Sequence, residues 1–343
     1  MVKFALIADD LTGAADSGVQ FAKRGLSTAL LMDSGSISDA EVVIVDTESR
    51  ADLPKIARAK VHTAISALPP VEFIYKKIDS TLRGNIGTEL EAIMEARGVE
   101  RAVLAPAFPS AGRITVGGRQ LLDGQPLEET VFAQDPLCPI ADSYIPALLD
   151  QQMQREVGLI ELALVRKGVD SLAAAMQDRG EAVLVVDATT EEDLHAIARS
   201  ALRAGLAHLT CGSAGLADAM AEEVVREGIV PASPKTIEFA PVDAPVLVVA
   251  GSRNPLTGRQ LSRAAQEMGL VVLRMDTEEL AATTGACPSG RESLVAQAGE
   301  HISAGRNVAL SLLGSPYVEG LSFTLARALG EMAARLAGRH KLA

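Results

Sequence analysis

The chain has 343 residues, and its 32 Lys and Arg against 44 Asp and Glu give a formal net charge of −12 at pH 7. This acidic balance argues against nucleic acid as a partner, because such binding needs basic side chains that neutralise phosphates. Hydrophobic residues make up 48% of the sequence but never form a run of about 18 uncharged apolar residues, so we expect two folded domains and no membrane span.

Short Val, Ile and Leu runs recur along the chain, separated by Ala-rich segments of helical pattern. Strands buried on both faces of a parallel sheet have this composition, and the helices between them are the crossovers that parallel strands require. We therefore predict an α/β protein with two domains, each with a mainly parallel sheet flanked by helices. The predicted strands are Phe4–Ala8, Glu41–Val45, Glu72–Lys76, Arg101–Ala105, Ala182–Val186, Val246–Ala250, Val271–Arg274 and Asn307–Leu312.

Two segments depart from this alternation of strands and helices. Around residues 113–130, Gly117-Gly118 and Asp123-Gly124 are turn signals between three short strand-like stretches, so we predict a small antiparallel β-meander. Residues 230–245 contain four prolines and little periodicity, which is typical of a linker. This linker predicts a first domain at residues 1–229 and a second at residues 246–343.

Polar and charged residues follow three successive strands at their carboxyl ends, which is where parallel α/β sheets bind ligands. Arg and Lys suit a carboxylate, while Asp, Ser and Thr suit hydroxyls, so these segments predict a site for a polyhydroxylated anion. Taken singly, Asp10 is as well explained as a helix cap, Arg50 and Arg83 as surface ion-pair partners, and one of Lys76 and Lys77 as a solvated edge residue. Convergence at three strand ends favours the ligand site. The segments are Asp9–Gly18, Asp46–Arg50 and Lys77–Asn85, and the last two share the spacing Asp, Ser/Thr, two residues, Arg.

In the second half, the strand Val246–Ala250 leads into a turn that is suited to an anion. Asn254 is a good helix cap and Pro255 a favoured first helical residue, so free backbone N–H groups would face the strand end. Ser252 and Arg253 would bind a phosphate there, although an ordinary strand-to-helix turn has the same pattern. Gly314 begins a similar turn farther along the chain. No Walker A and no G-x-G-x-x-G sequence occurs.

Cysteine and histidine usage gives no sign of a disulfide framework or a metal site. Cys138, Cys211 and Cys287 are far apart and form no CxxC pair. None of the five histidines has a carboxylate-rich or metal-spaced setting in the sequence, so no metal ligand is predicted; they are His62, His195, His208, His301 and His340. The amino terminus lacks the features of a signal peptide, and we expect a reducing, cytoplasmic location.

Five motifs resemble, in order, those of the four-carbon acid sugar kinase family, over about residues 1–320. The resemblance implies transfer of a phosphoryl group from ATP, with Mg²⁺, to a tetronate such as threonate, erythronate or an oxo derivative. It also implies that the first domain binds the acid sugar and the second the nucleotide. The motifs are Asp9–Ala14, Asp46–Arg50, Lys76–Asn85, Pro106–Pro109 with Gly112-Arg113, and Gly212–Ala217.

The resemblance also implies site residues by position. Asp10 or Asp79 would orient or deprotonate the accepting hydroxyl. The nucleotide would lie on Ser252, Arg253, Asn254 and Gly314. The substrate-binding candidates are Asp9, Thr12, Gly13, Arg50, Lys77, Ile78, Asp79, Ser80 and Arg83.

One expectation concerns the carboxyl end. Family members continue past the helix predicted at Gly320–Ala337 into another strand and a glycine-rich loop that contributes to the nucleotide site, and no such sequence follows here. We therefore expect an incomplete nucleotide domain and an apolar helix face that is left partly uncovered. The alternative function is a non-catalytic, or weakly active, acid-sugar-binding protein, and a homodimer remains open. The apolar row is Leu321, Leu325, Leu329, Met332 and Leu336.

Overall fold

A computed structural model describes residues 2–31, 40–231, 243–277, 280, 288–316, 318 and 320–342. The chain divides into two compact units, Met1–Thr236 and Ile237–Ala343. Most of the predicted linker (residues 232–242) and Cys287 lie outside the described residues. The fold class is α/β, as predicted, with one parallel sheet in each unit.

The first unit is built on an eight-stranded sheet in which all neighbouring strands are parallel. Its strand order is β2-β3-β1-β4-β11-β5-β10-β9. The five strands predicted for this region are confirmed to within one residue at each end, whereas β2, β9 and β11 were not predicted. The strands are β1 (Phe4–Ala8), β2 (Thr28–Leu31), β3 (Val42–Asp46), β4 (Phe73–Lys77), β5 (Ala102–Ala105), β9 (Val157–Ile160), β10 (Val183–Val186) and β11 (Leu209–Gly212).

Helices cover both faces of this sheet, which is why its strands are apolar on both sides. Because side chains alternate along a strand, Phe4, Leu6 and Ala8 enter one core, and Ala5 and Ile7 enter the other. The first core is covered by α1 (Leu11–Lys23), α6 (Val169–Asp178), α7 (Glu191–Ala204) and α8 (Ala214–Arg226). The second is covered by α2 (Pro54–Ala67), α3 (Ile86–Arg97) and α4 (Ile145–Gln152), and a single turn, α5 (Leu162–Val165), precedes α6.

The predicted β-meander is confirmed as a three-stranded antiparallel sheet: β6 (Arg113–Val116), β7 (Arg119–Leu122) and β8 (Gln125–Pro126). Its first turn has φ of +58° at Gly117 and +73° at Gly118, a conformation that favours glycine. The Asp187 carboxylate, just past β10, accepts hydrogen bonds from both glycine N–H groups, at 2.7 and 2.9 Å. The hairpin is thereby fastened beside the carboxyl edge of the large sheet.

The second unit has a three-stranded parallel sheet of order β12-β14-β13, formed by β12 (Leu247–Ala250), β13 (Val271–Arg274) and β14 (Val308–Ser311). Among the described residues, this unit contains the helices α9 (Pro255–Met268), α10 (Pro288–Ser303) and α11 (Ser322–Ala337).

The expectation that the apolar face of α11 would be left partly uncovered is wrong for four of the five residues of the row, and the fifth, Leu321, is half-buried. Leu325, Leu329, Met332 and Leu336 are at most 4% exposed. They pack in one core with strand β14 and helix α10, whose apolar residues cover the row. In the described ranges, no helix has the length and hydropathy that crossing a bilayer requires.

Candidate functional site

The polar segments of the first unit meet at the point in the sheet where the strand order changes direction. From β1, the chain passes through α1 to β2 on one side, and then from β3 through α2 to β4 on the other side. Such a switch point opens a crevice at the carboxyl ends of the strands. Asp9, Arg50 and Asp79 follow the ends of β1, β3 and β4, the three adjacent strands at this point.

At the centre of the crevice, Arg50 holds both Asp9 and Asp10. Its guanidinium donates two hydrogen bonds to Asp9, at 2.8 and 2.9 Å, and two to Asp10, at 2.6 and 2.7 Å. Burial alone would raise the pKa of Asp9, but Lys76 and Arg50 outweigh burial and lower it. Arg50 therefore pairs with the two aspartates that follow β1 and not with Asp46 of its own motif, and most of its N–H groups are occupied.

At the end of β4, Asp79 and Arg83 form a second ion pair. Oδ2 of Asp79 accepts from Arg83 Nε and from the Thr81 hydroxyl, both at 2.5 Å. Although burial opposes it, the Arg83 charge leads the interactions that lower the pKa of Asp79 to about 2. Arg83 also donates through Nη1 to Asp135 at 3.0 Å and lies 5.2 Å from the centre of the Phe132 ring. Within the described residues, Oδ1 of Asp79 and Nη2 of Arg83 have no hydrogen-bond partner.

Lys77 supplies a buried amine that forms no ion pair within the described ranges. It is 5% exposed, and Nζ donates only to the Ile78 carbonyl, at 2.9 Å. Burial lowers the pKa of Lys77 against the opposing charges of Asp9 and Asp79. A Cβ on Gly13 would lie 2.9 Å from this amine and 2.5 Å from Asp10 Oδ1, so glycine leaves the room that these two side-chain ends occupy beside helix α1.

The remaining predicted residues contribute less directly. Asp10 is also the N-cap of α1, because its Oδ1 accepts from the Gly13 N–H at 2.9 Å. Ile78 packs in the core, the Ser80 carbonyl accepts from the buried Gln120 amide at 2.8 Å, and Thr12 is exposed.

The reading of one lysine as a solvated edge residue is wrong, since Lys76 is fully buried and Lys77 nearly so. Sequence reasoning also missed Asp135, which lies far from Arg83 in the chain and in no recognisable pattern. A pocket of about 320 Å³ lies beside the crevice, lined by residues that include Arg50, Gly84 and Cys138 but none of Asp10, Lys77 and Asp79.

In the second unit, the two predicted phosphate turns follow the neighbouring strands β12 and β14. Asn254 caps α9, as predicted: its Oδ1 accepts from the Leu256 N–H at 2.8 Å, and Ser252 Oγ accepts from the Asn254 N–H at 3.2 Å. Gly314 has a φ of +92°, a turn conformation that requires glycine. The two turns therefore leave the sheet at the same edge.

One histidine does have acidic neighbours. The ligand atoms of His195, Glu222 and Glu223 lie within 4.8 Å of one another, so this histidine has carboxylate neighbours that its setting in the sequence does not indicate. The carboxylates come from α8, which packs on α7, and sequence spacing does not reveal them. Arg199 and Arg226 form ion pairs with Glu223 and neutralise it, which indicates an ion-pair cluster and not a metal site.

Known proteins to which this chain is similar include kinases of four-carbon sugar acids. Residues 4–220 match the family model of a sugar-binding N-terminal domain. The chain is 40% identical to D-threonate kinase of Salmonella typhimurium over 77% of this chain and 61% of that protein. It is 34% identical to D-erythronate kinase of Heliobacterium modesticaldum over 82% and 64%, and 31% identical to 3-oxo-tetronate kinase of Cupriavidus necator over 80% and 66%. The chain thus spans less than two thirds of the length of these relatives.

Two solved structures are similar to the whole chain. A Salmonella typhimurium LT2 protein, crystallised under the name of a tRNA synthase, has a TM-score of 0.81 at 24% identity and covers 98% of this chain and 83% of its own, which establishes the fold alone. A domain of unknown function from Bordetella bronchiseptica has a TM-score of 0.58 at 29% identity, covers 99% and 81%, and was crystallised with bound citrate as a domain-swapped dimer.

Proposed function

The chain belongs to the four-carbon acid sugar kinase family, and we propose that it transfers the γ-phosphoryl group of ATP to a hydroxyl of a four-carbon sugar acid. The acids named for its relatives make threonate, erythronate or 3-oxo-tetronate the proposed substrate. One observation supports the proposal: three polar groups that have no side-chain partner among the described residues lie at the strand ends around the switch point of the first unit. They are the Lys77 amine, Arg83 Nη2 and Asp79 Oδ1.

These three groups match the chemistry of a tetronate, which has one carboxylate and several hydroxyls. Lys77 and Arg83 donate to the carboxylate, while Asp79 Oδ1 accepts from the hydroxyl that takes the phosphoryl group. We favour Asp79 over Asp10 for this role because Arg50 and Gly13 already occupy both oxygens of Asp10. With a pKa of about 2, Asp79 is a weak base that orients the hydroxyl, and phosphoryl transfer depends mainly on such positioning.

In this proposal ATP supplies the phosphoryl group, and Mg²⁺ neutralises charge on the phosphates. Ser252, Arg253, Asn254 and Gly314 are the residues to hold the phosphates. The turn before α9 fits them, since it is exposed, follows a parallel strand and leads into a capped helix start. No protein cage for Mg²⁺ is needed, because this ion commonly binds through substrate phosphates and one or two carboxylates.

The setting of the reaction is part of the same proposal. The described cysteines, Cys138 and Cys211, are both free thiols, which fits a reducing cytoplasm. The domain-swapped dimer of the Bordetella bronchiseptica relative supports a homodimer. Gel filtration with light scattering measures the mass in solution.

The proposed reaction is tested by a coupled assay of ADP release with ATP, Mg²⁺ and each of the three tetronates. We expect turnover with at least one acid, and a loss of about a hundredfold or more in kcat for Asp79→Asn. Asp170→Asn is the matched control, because Asp170 is 84% exposed and pairs with Arg203 on the helices α6 and α7. Tetronate binding without any turnover would support the non-catalytic alternative, and full activity of Asp79→Asn would refute the assigned role.

A further inference from the structure

Directly behind the crevice, Lys76 and Glu89 form an ion pair that is shut off from solvent. Their side chains are 0% and 1% exposed, and Lys76 Nζ lies 2.6 Å from Glu89 Oε2. Neither residue belongs to the proposed substrate-binding groups. Removing two charges from water is unfavourable, and two well-packed apolar side chains commonly give equal or greater stability. A buried pair at this place therefore calls for a reason other than stability.

The other oxygen of Glu89 extends the pair to the turn that carries Arg50. Oε1 accepts from the Ser49 hydroxyl at 2.6 Å, and the Ser49 hydroxyl lies 2.7 Å from that of Thr47. The N–H groups of Ser49 and Arg50 in turn donate to the Asp9 carbonyl, at 3.0 and 3.2 Å.

Two further features constrain the conformation of this turn and of the neighbouring strand end. Glu48, just before Ser49, has a φ of +44°, which is uncommon for a residue with a side chain. Lys76 Nζ donates to the Lys77 carbonyl at 2.9 Å, so the pair also contacts the end of β4. Glu89, in the first turn of α3, thus connects the ends of all three strands around the crevice.

We propose that Glu89 is a positioning residue for the acid-sugar site: it anchors the Ser49 turn and the end of β4, and so fixes the positions of Arg50 and Lys77 relative to each other. This inference rests on the proposed function, because it concerns the site that binds the tetronate. Glu89 acts through Ser49 and Lys76, and it touches no reacting group. Burial alone lowers the pKa of Lys76, but Glu89 and Asp9 outweigh burial and raise it, which keeps the lysine charged.

The test compares tetronate affinity, by calorimetric titration of folded protein, with thermal stability. For Ser49→Ala, which leaves the ion pair intact but removes one hydrogen bond to the buried Glu89 carboxylate, we expect affinity about tenfold weaker and a smaller fall in Tm than in Glu89→Gln. For Glu89→Gln, we expect a similar loss of affinity and a lower Tm, because Lys76 is left buried without its partner.

A double variant, Lys76→Met with Glu89→Met, separates positioning from stability. It removes both buried charges, so Tm should return close to the wild-type value. Affinity should stay about tenfold weaker, because methionine cannot accept the Ser49 hydrogen bond. Glu91→Gln is the control on the same helix: the Glu91 side chain is 12% exposed, against 1% for Glu89, and it accepts from the Gln154 N–H and pairs with Arg58 instead of with Ser49 and Lys76.

The outcomes separate the two proposals. Wild-type affinity in both Ser49→Ala and the double variant would overturn the role of Glu89 while leaving the proposed function intact. If wild-type protein and Glu91→Gln both fail to bind any tetronate, the proposed function fails first, and the positioning role fails with it. Weak binding in the double variant despite a restored Tm is the result that we expect.

Discussion

Gly13→Ala tests whether the close approach of α1 to Lys77 forms the acid site. The added Cβ would lie 2.5 Å from Asp10 Oδ1 and 2.9 Å from Lys77 Nζ, both closer than real Cβ contacts allow. Because both neighbours are ends of flexible side chains, we expect them to move and the helix to stay in place. The substitution therefore displaces two groups of the proposed site without removing either of them.

We expect Gly13→Ala to have a small effect on stability and a large effect on tetronate binding. Alanine improves helix propensity by about 1 kcal/mol relative to glycine, while disturbing the Asp10 cap costs about 0.5–2 kcal/mol. The two effects nearly cancel, so the free energy of unfolding should change by no more than about 1 kcal/mol. A hydrogen bond to a charged group contributes about 1.5–3 kcal/mol, so losing the Lys77 contact should weaken tetronate binding about ten- to a hundredfold.

Isothermal titration calorimetry with D-threonate and D-erythronate measures the affinity, and urea unfolding measures the stability. Gly18→Ala is the control in the same helix, since its Cβ would meet Ile44 Cδ1 in the core at 2.3 Å. This control should lose about 1–3 kcal/mol of stability through overpacking and keep its affinity. Unchanged tetronate affinity in Gly13→Ala, or an equal loss of affinity in both variants, would refute the assignment of Lys77 and Asp10 to the tetronate site.

Three further predictions concern single residues. The pKa of Asp79 is lowered from 3.8 to about 2 on folding, so it contributes about 2 kcal/mol of stability that is present above pH 4 and is lost as pH falls to 2. Asp79→Asn should therefore lose about 2 kcal/mol of stability at pH 7. Its free energy of unfolding, measured with urea, should fall less steeply than that of wild type as the pH is lowered from 4 to 2. Asn254→Ala removes the cap of α9 and should lose about 1 kcal/mol of stability; calorimetry should show weaker ATP binding and unchanged tetronate binding. Lys77→Met removes a buried charge that has no ion-pair partner among the described residues, so we expect a higher Tm than wild type by differential scanning fluorimetry but a smaller rise than wild type shows when tetronate is added.

The missed strands show where periodicity fails as a signal. β2 and β9 are the two edge strands of the large sheet, and four half-buried residues form β2, so neither strand needs a long apolar run. β11 is central and fully buried, yet its residues Thr210, Cys211 and Gly212 are small or polar. At Gly212 a Cβ would lie 2.4 Å from the Ala105 carbonyl oxygen. Close packing selects small residues there, and they carry no hydrophobic pattern.

The sequence located the candidate site because parallel strands bring their carboxyl ends to one edge. It did not reveal which charges pair there. The shared spacing suggests that Asp46–Arg50 and Asp79–Arg83 are equivalent, but only the second pair forms within its own motif. Arg50 instead contacts Asp9 and Asp10, because β1 lies between β3 and β4 and brings two carboxylates to the centre of the crevice. Strand order, which depends on long-range crossovers, decides this pairing.

The division of charges explains how one crevice combines rigidity with affinity. Arg50 and the two aspartates saturate one another, so they form a fixed wall with little left for a ligand. Lys77 is buried beside them, no described residue forms an ion pair with it, and a buried charge without an ion-pair partner destabilises the folded protein. A bound carboxylate supplies the missing partner, so part of the unfavourable burial of Lys77 is recovered only when the acid is present. The site should therefore bind an anion more tightly than a neutral sugar of the same shape, because the neutral sugar would leave the Lys77 amine without an ion-pair partner.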